Sequence, residues 1–346
     1  MIAFPPVLSR FALIVAASAF ALFVSEYSVR LAVPKYDPAG HIAFFVDPAT
    51  GIQLGKPNSK TRQIKNSGDY DVEVVFNRHG LRDRRDIANG RTEDLYVVGD
   101  SFAFGWGVKQ DERFSSVLEK LIGRQVYNIA TTENLDGYER LLAYSVGQGA
   151  KIRDVIMAIN MIDDVQDYDA APQKTDKSVA KSAPEPFRAI SLQRVKQFLI
   201  THSALYFLTT SAIGSIDVLR RVLVRLGFVK TLNVVAGGRL GDLAVRSTAD
   251  HILALSKKYN LTILLIPSRG LWVGDNRQAA AAAHTKFGDE LRRLDLTVID
   301  MRPVMEATGN PMGFHFLNDG HWRPRGHALA AAVLAEKLPS RLRRPE

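Results

Sequence analysis

The sequence predicts an α/β protein built on a parallel, five-stranded sheet with helices on both faces. Two observations predict it. From residue 94 onward, short apolar runs alternate with helical segments, and repeated strand–helix alternation needs crossovers that cover both faces of a sheet. The first of these runs, in YVVGDSFAFGWGV (96–108), stops abruptly at Gly99-Asp100-Ser101. Binding sites in parallel sheets lie beyond the carboxyl ends of the strands, where this serine falls.

Taken in order, the predicted strands are Leu95–Val98, Val126–Ile129, Val155–Ile159, Thr262–Ile266 and Thr297–Ile299. The predicted helices cover roughly 112–122, 137–148, 242–259, 276–293 and 325–338. About a hundred residues separate the third strand from the fourth. Within them QKTDKSVAKSAPEP (173–186) is polar and proline-bearing and reads as a loop. Residues 187–228 are helical and amphipathic. They suit a lid, a dimer face or a membrane-surface element; Arg220, Arg221 and Arg225 beside Val222, Leu223 and Leu226 favour the last. Helices packed on the domain with a solvated basic face fit equally well.

Before the sheet lie two other regions. Phe11–Val24 is an uninterrupted apolar run, and extension back to Val7 makes it 18 residues long. That is close to the roughly 20 residues a spanning helix needs. ASA and AFA within it resemble signal-peptide cleavage sites, but the helical pattern continues through VSEYSVRLAV, which favours an uncleaved signal anchor over residues 1–30. Residues 31–93 then read as linker and a small β entry segment: 34–60 are rich in Pro, Gly and Asp, and DYDVEVVFNRHGLRD (69–83) alternates before turning at His79-Gly80. Residues 94–346 form the main domain, with a helical insertion at about 173–240.

Composition narrows the function. The chain has 346 residues, 46% of them hydrophobic, and no cysteine. A disulfide framework and cysteine-based metal sites are therefore excluded. The net charge of +9 is spread over scattered Lys and Arg. No basic stripe interleaved with aromatics and no nucleic-acid motif accompanies it, so nucleic acid is not an expected partner.

A lone serine at a strand end is most often a turn residue. As a nucleophile it needs a base and an acid that fixes the base's tautomer. Five of the eight histidines stand in loops or helical patterns without company. The exception is FHFLNDGHWRPRGHAL near the C-terminus, where Asp319 and His321 flank Gly320. In a loop this spacing brings carboxylate and imidazole together, although the same residues could instead cap the last helix. Phe102, Phe104 and Trp106 read as packing around the serine, with Trp106 also suited to line a sugar pocket. Arg269 follows the fourth strand and would meet an anionic substrate or pair with a surface acid.

GDSFAFGWGV near the first strand and DGHWRPRGH about 220 residues later resemble the SGNH (GDSL-type) hydrolase family, in its membrane-anchored bacterial branch. FNRHGLRDRRD and DLYVVGDS strengthen the resemblance. It covers about 94–172 and 242–338, with a weaker match at 70–93. It implies a flavodoxin-like three-layer α/β/α sandwich and hydrolysis or transfer of acyl esters, with Ser101 as nucleophile, His321 as base and Asp319 as the acid. No metal or organic cofactor is implied.

The expected oxyanion donors fit less well. One family donor is a glycine a few residues beyond an Asn that matches Asn128; its place holds Glu133, and Gly137 comes four residues later. The other is an asparagine after the third strand, where the simplest alignment puts Asp163, with Asn160 three residues early. An ionised Asp163 could not donate to an oxyanion, and loss of one donor typically costs ~10²–10³ in rate. The resulting expectation is an esterase or acyltransferase at the bacterial inner membrane, facing the periplasm, for an acylated small molecule or envelope carbohydrate. A degenerate, non-catalytic binding protein of the same fold is the alternative.

Overall fold

The computed structural model describes residues 6–168, 192–216, 218–219, 222, 225 and 241–343. The predicted loop at 173–186, and Arg220 and Arg221, lie outside the described residues. The chain divides into two compact units: one of residues 1–41, 64–68 and 179–229, the other of 42–63, 69–178 and 230–346.

The larger unit is built on the predicted sheet. Four short strands precede it: β1 Phe44–Val46, β2 Gln53–Gly55, β3 Lys60–Ile64 and β4 Asp71–Val75. β1 pairs antiparallel with β2, and β3 lies beside β4 in a second two-stranded sheet. Residues 34–60, expected as linker, thus contain a hairpin. Its turn is fixed by Asp47, whose carboxylate accepts from the amide and hydroxyl of Thr50 at 3.0 and 2.5 Å.

The main sheet comprises β5 Leu95–Gly99, β6 Val126–Asn128, β7 Asp154–Asn160, β8 Asn260–Ile266 and β9 Thr297–Asp300. They lie in the order β6-β5-β7-β8-β9, every pair parallel. Every residue of β5, β6 and β7 is buried, as a sheet covered on both faces requires. The long helices are α3 Phe114–Ile122, α4 Leu135–Gly147, α7 Asp242–Ser256, α8 Arg277–Arg293 and α10 Pro324–Lys337. They cover two separate apolar layers. Leu141, Ile252 and Phe287 share one with alternate sheet residues such as Val155 and Ile263. Leu118, Ala331 and Leu334 share the other with Val97, Ile156 and Leu264.

In the smaller unit, α1 runs from Pro6 to Ala32, and Phe11, Leu13, Phe20 and Phe23 on it are exposed. Its Arg10–Ala32 stretch is long and apolar enough to cross a membrane. α5 Leu192–His202 and α6 Ala204–Ser215 follow from the insertion. Glu26 of α1 caps α6: its carboxylate accepts from the Ser203 hydroxyl and from the amides of Ala204 and Leu205 at 2.8–3.0 Å. The two amides are orphan donors at a helix start, and an anion there is favoured by the helix dipole. Arg30, one turn later, donates to Glu26, to Asp37 and to the carbonyl of His202.

Candidate active site

Ser101 is the first residue of a four-residue helix, α2 Ser101–Phe104, that begins where β5 ends. Asp100 is its N-cap and accepts from the Phe102 amide at 2.9 Å. The turn is tight at both sides. A Cβ on Gly99 would stand 2.8 Å from the Ala103 Cβ and 2.9 Å from that of Ala158. Gly105 closes the helix at φ +84°, where an L side chain is strained and would strike Arg113.

His321 comes from the other end of the chain. Its loop is pinched by a bridge between His315 and Trp322 and by the Phe316 amide donating to the His321 carbonyl at 3.0 Å. This brings His321 Nε2 to 2.7 Å from Ser101 Oγ. Its Nδ1 is hydrogen-bonded to Asp319 Oδ1, which also accepts from the His321 amide at 3.1 Å. An ionised carboxylate only accepts, so Nδ1 carries the proton and Nε2 is left to accept from the serine. Phe102 and Trp106 flank the ring, with centroids 5.1 and 5.6 Å away. His321 thus bridges Ser101 and Asp319 at the carboxyl edge of the sheet.

Arg269 is buried, and its guanidinium donates to the Asp319 carbonyl at 2.8 Å. It fastens the loop that carries Asp319 instead of facing an anionic substrate. A comparable fastening lies under the turn that carries Ser101. Arg82 is fully buried and donates to the carbonyls of Phe104, Gly105 and Val108.

Of the oxyanion candidates, Asn160 is hydrogen-bonded to the turn that carries Ser101. It ends β7, and its amide nitrogen donates to Asp100 Oδ2 at 2.9 Å and to Asp163 Oδ2 at 3.2 Å. Asp163 is exposed and acts as an acceptor. The strand ends at Asn160, and Asp163 lies in the turn after it. Gly137 lies inside the first turn of α4, where its amide donates to the capping side chain of Asn134 at 3.3 Å. Glu133 points its carboxylate at the Gln53 amide, 2.6 Å away. The donor expected at that position is a backbone N–H, which a glutamate retains.

A buried polar network holds Asn160. Asp164 accepts from the Asn160 amide at 2.8 Å and, on both oxygens, from the Tyr138 hydroxyl at 2.8–2.9 Å. Burial pushes Asp100 up to about 6, against the hydrogen bonds from Asn160 and Phe102 that favour its charge. Burial and the charge of Asp100 push Asp164 well above the usual carboxylate range. Burial likewise holds His315 and His327 down to about 3, so both are neutral at ordinary pH.

A cavity of about 690 Å³ lies at the other end of the sheet. Arg84, Arg91, Glu93, Arg124 and Tyr127 line it beside the amino ends of β5 and β6. It is remote from Ser101, and its charges of both signs mark no single ligand. The sequence did not single out Tyr70, whose hydroxyl donates to Asp319 Oδ2 at 3.2 Å. The only signal for it was its place in the entry segment just before the main domain.

Residues 257–345 match a family model described as an SGNH hydrolase-like domain of the acetyltransferase AlgX. No curated protein matches the chain. Among solved structures, a lipolytic protein of the G-D-S-L family from Desulfitobacterium hafniense is 13% identical, with 72% of this chain and 100% of that one covered and a TM-score of 0.38. A lipase/acylhydrolase from Enterococcus faecalis is 10% identical over 73% and 98%, with a TM-score of 0.41. A G-D-S-L family member from Veillonella parvula is 11% identical over 71% and 97%, with a TM-score of 0.39. Overlaps of this size carry no inference about chemistry.

Proposed function

We propose that this chain, an SGNH hydrolase-like protein, is a membrane-anchored serine esterase or acyltransferase that acts on an acylated carbohydrate of the bacterial envelope. The observation that carries the reading is the unbroken Ser101–His321–Asp319 contact at the carboxyl edge of the sheet. Ser101 Oγ attacks the ester carbonyl while His321 Nε2 takes its proton. Asp319 holds the imidazole in the required tautomer and stabilises the imidazolium. His321 then protonates the departing alcohol. Water, or a second hydroxyl in a transferase, attacks the acyl-serine with His321 again as base, and Ser101 is restored.

The Ser101 amide, at the start of α2, is one donor to the oxyanion. The Asn160 side chain is the second: the oxyanion replaces Asp163 as acceptor of one amide hydrogen, while Asp100 keeps the other. The α1 helix fits an anchor in the inner membrane with the sheet domain on the periplasmic side. The carbohydrate substrate is supported by that location and by the matching family model, which is named for an acetyltransferase.

One observation favours the non-catalytic alternative. Both hydrogens of the Asn160 amide are already directed at carboxylates. Turnover of p-nitrophenyl acetate and labelling by a fluorophosphonate decide between the two, measured on the full chain with Ser101→Ala and His321→Ala. Turnover lost in both variants supports the enzyme. A wild type that neither turns over nor labels leaves the binding protein.

A further inference from the structure

We infer that Tyr70 and Trp106 are positioning residues of the catalytic centre, in a hydrogen-bonded relay that runs Trp106, Tyr70, Asp319, His321, Ser101. The inference rests on the esterase reading for its kinetic consequences, but not for its geometry. Trp106 Nε1 donates to the Tyr70 hydroxyl at 2.8 Å. That bond occupies an acceptor site on the hydroxyl, because an indole N–H can only donate. The single proton of Tyr70 is thereby left for Asp319 Oδ2, 3.2 Å away. Asp319 Oδ1 serves His321, so each oxygen of the carboxylate has its own partner. The relay closes on itself, since the Trp106 ring stacks on the His321 ring at 29°.

The site is built for this tyrosine. Tyr70 is buried against Phe316 and Val108, with the Phe316 ring centroid 5.1 Å away. Gly107, at φ +78°, lets the tyrosine ring lie on the backbone; a Cβ there would stand 2.6 Å from Tyr70 Cδ1. Burial and the nearby Asp319 keep the phenol far above its usual range, so it stays a neutral donor at every working pH. The consequence for His321 has a definite sign. A donor on Asp319 makes that carboxylate less basic, and a less basic carboxylate holds an imidazolium less tightly. The stacked indole face acts the other way, favouring the cation. The relay thus sets both the direction in which the imidazole points and the pH at which it becomes a base.

Other groups also face this pair. Asp100 is near His321, with its own carboxyl pushed up to about 6 by burial; it is common to every variant compared. His315 and His327 are near His321 but stay neutral. Arg269 and Asp69 act through Asp319 and Tyr70.

The test is Tyr70→Phe and Trp106→Phe in the full chain in detergent, with thermal unfolding to verify folding. Two readouts are compared with wild type. One is the kcat/KM profile with p-nitrophenyl acetate. The other is the titration of the His321 ring nitrogens by NMR on ¹⁵N-histidine-labelled protein, assigned by difference with His321→Ala. Tyr70→Phe is expected to lower kcat/KM about 10-fold, as loss of a hydrogen bond to a charged group does. It should also raise the His321 midpoint, and with it the acid limb, by about half a pH unit or more. Trp106→Phe keeps a ring on His321 and frees the phenol proton to turn, so its midpoint should rise less. A folded Tyr70→Phe with an unmoved His321 midpoint overturns the relay, even where its rate falls, because lost packing alone lowers rate without moving a titration. If Tyr70→Phe does not fold, the Trp106→Phe midpoint decides. A wild type without Ser101-dependent turnover defeats the esterase reading alone, since the NMR midpoint still reports the relay.

Discussion

Asn160 and Asp163 share one hydrogen bond, and their substitution should separate their roles. Asn160 brings the donor; Asp163 accepts from it and is exposed. Asn160→Ala is expected to lower kcat by ~10²–10³, the usual cost of an oxyanion donor. Asp163→Ala frees an amide hydrogen and should leave kcat unchanged or raised. Steady-state kinetics on the pair checks this, and a larger loss in Asp163→Ala would reverse the assignment. Gly99 gives a second prediction. A methyl there meets Ala103, Ala158 and the Ala158 carbonyl at 2.8–3.0 Å, and two of these contacts belong to a buried strand that cannot retreat. Gly99→Ala should cost about 1–3 kcal/mol of stability, as overpacking does, and should disturb Ser101 labelling beyond that. Thermal unfolding beside fluorophosphonate labelling measures both. The pair also shows what was legible in the sequence. The contact of Asp319 with His321 could be read because both residues sit in one short loop. The hydrogen bond of Asn160 to Asp100 was not legible, because it joins the end of β7 to a turn far earlier in the chain.

At the scale of elements, α3 and α10 are joined through a buried histidine. The Phe114 amide, an orphan donor in the first turn of α3, donates to His327 Nδ1 at 3.3 Å. His327 must therefore be neutral, and burial beside Arg82 and Arg113 holds it down to about 3. Its ordinary value in an unfolded chain is about 6.5. Below that pH the unfolded chain takes up a proton that the folded one refuses. The stability is present above pH 6.5 and is lost as pH falls toward 3, at up to about 1.4 kcal/mol per pH unit. His327→Asn keeps an acceptor for the amide and cannot titrate, so its unfolding temperature should fall less steeply between pH 6.5 and 4. Parallel slopes in variant and wild type would remove His327 from the acid response; His315 supplies the same term in both. Elements of this size were largely readable in advance. The five strands of the main sheet are apolar runs, and their helices carry a helical period. The β1–β2 hairpin was not, because three-residue strands are too short for alternation to show. Arg82 was hidden for a different reason: arginines are rarely fully buried, and only carbonyls gathered from residues 104–108 make its burial tolerable.

For the whole molecule, the question is whether α1 stays on the chain. Its 27 residues reach about 40 Å at 1.5 Å per residue, more than a hydrocarbon core of about 30 Å. The surplus is the turn that holds Glu26 and Arg30, which put their charges on α6, on Asp37 and on His202. A cleavable signal has no need of such a polar end inside its folded unit, whereas an anchor does, because a cap on α6 works only while α1 is attached. Cleavage near the ASA or AFA sequences would also leave Leu22, Phe23 and Val24 exposed on a severed helix. Intact mass of the purified protein should therefore include the N-terminal 21 residues, and the protein should stay with membranes through alkaline carbonate extraction. Glu26→Ala should leave that membrane association unchanged, since it removes a charge and no apolar surface. It should instead increase proteolysis between α5 and α6, where three donors lose their acceptor. A mature mass beginning after Ala19 or Ala21 would turn the anchor into a signal sequence. Glu26→Ala with unaltered proteolysis would show that the cap contributes nothing to the smaller unit.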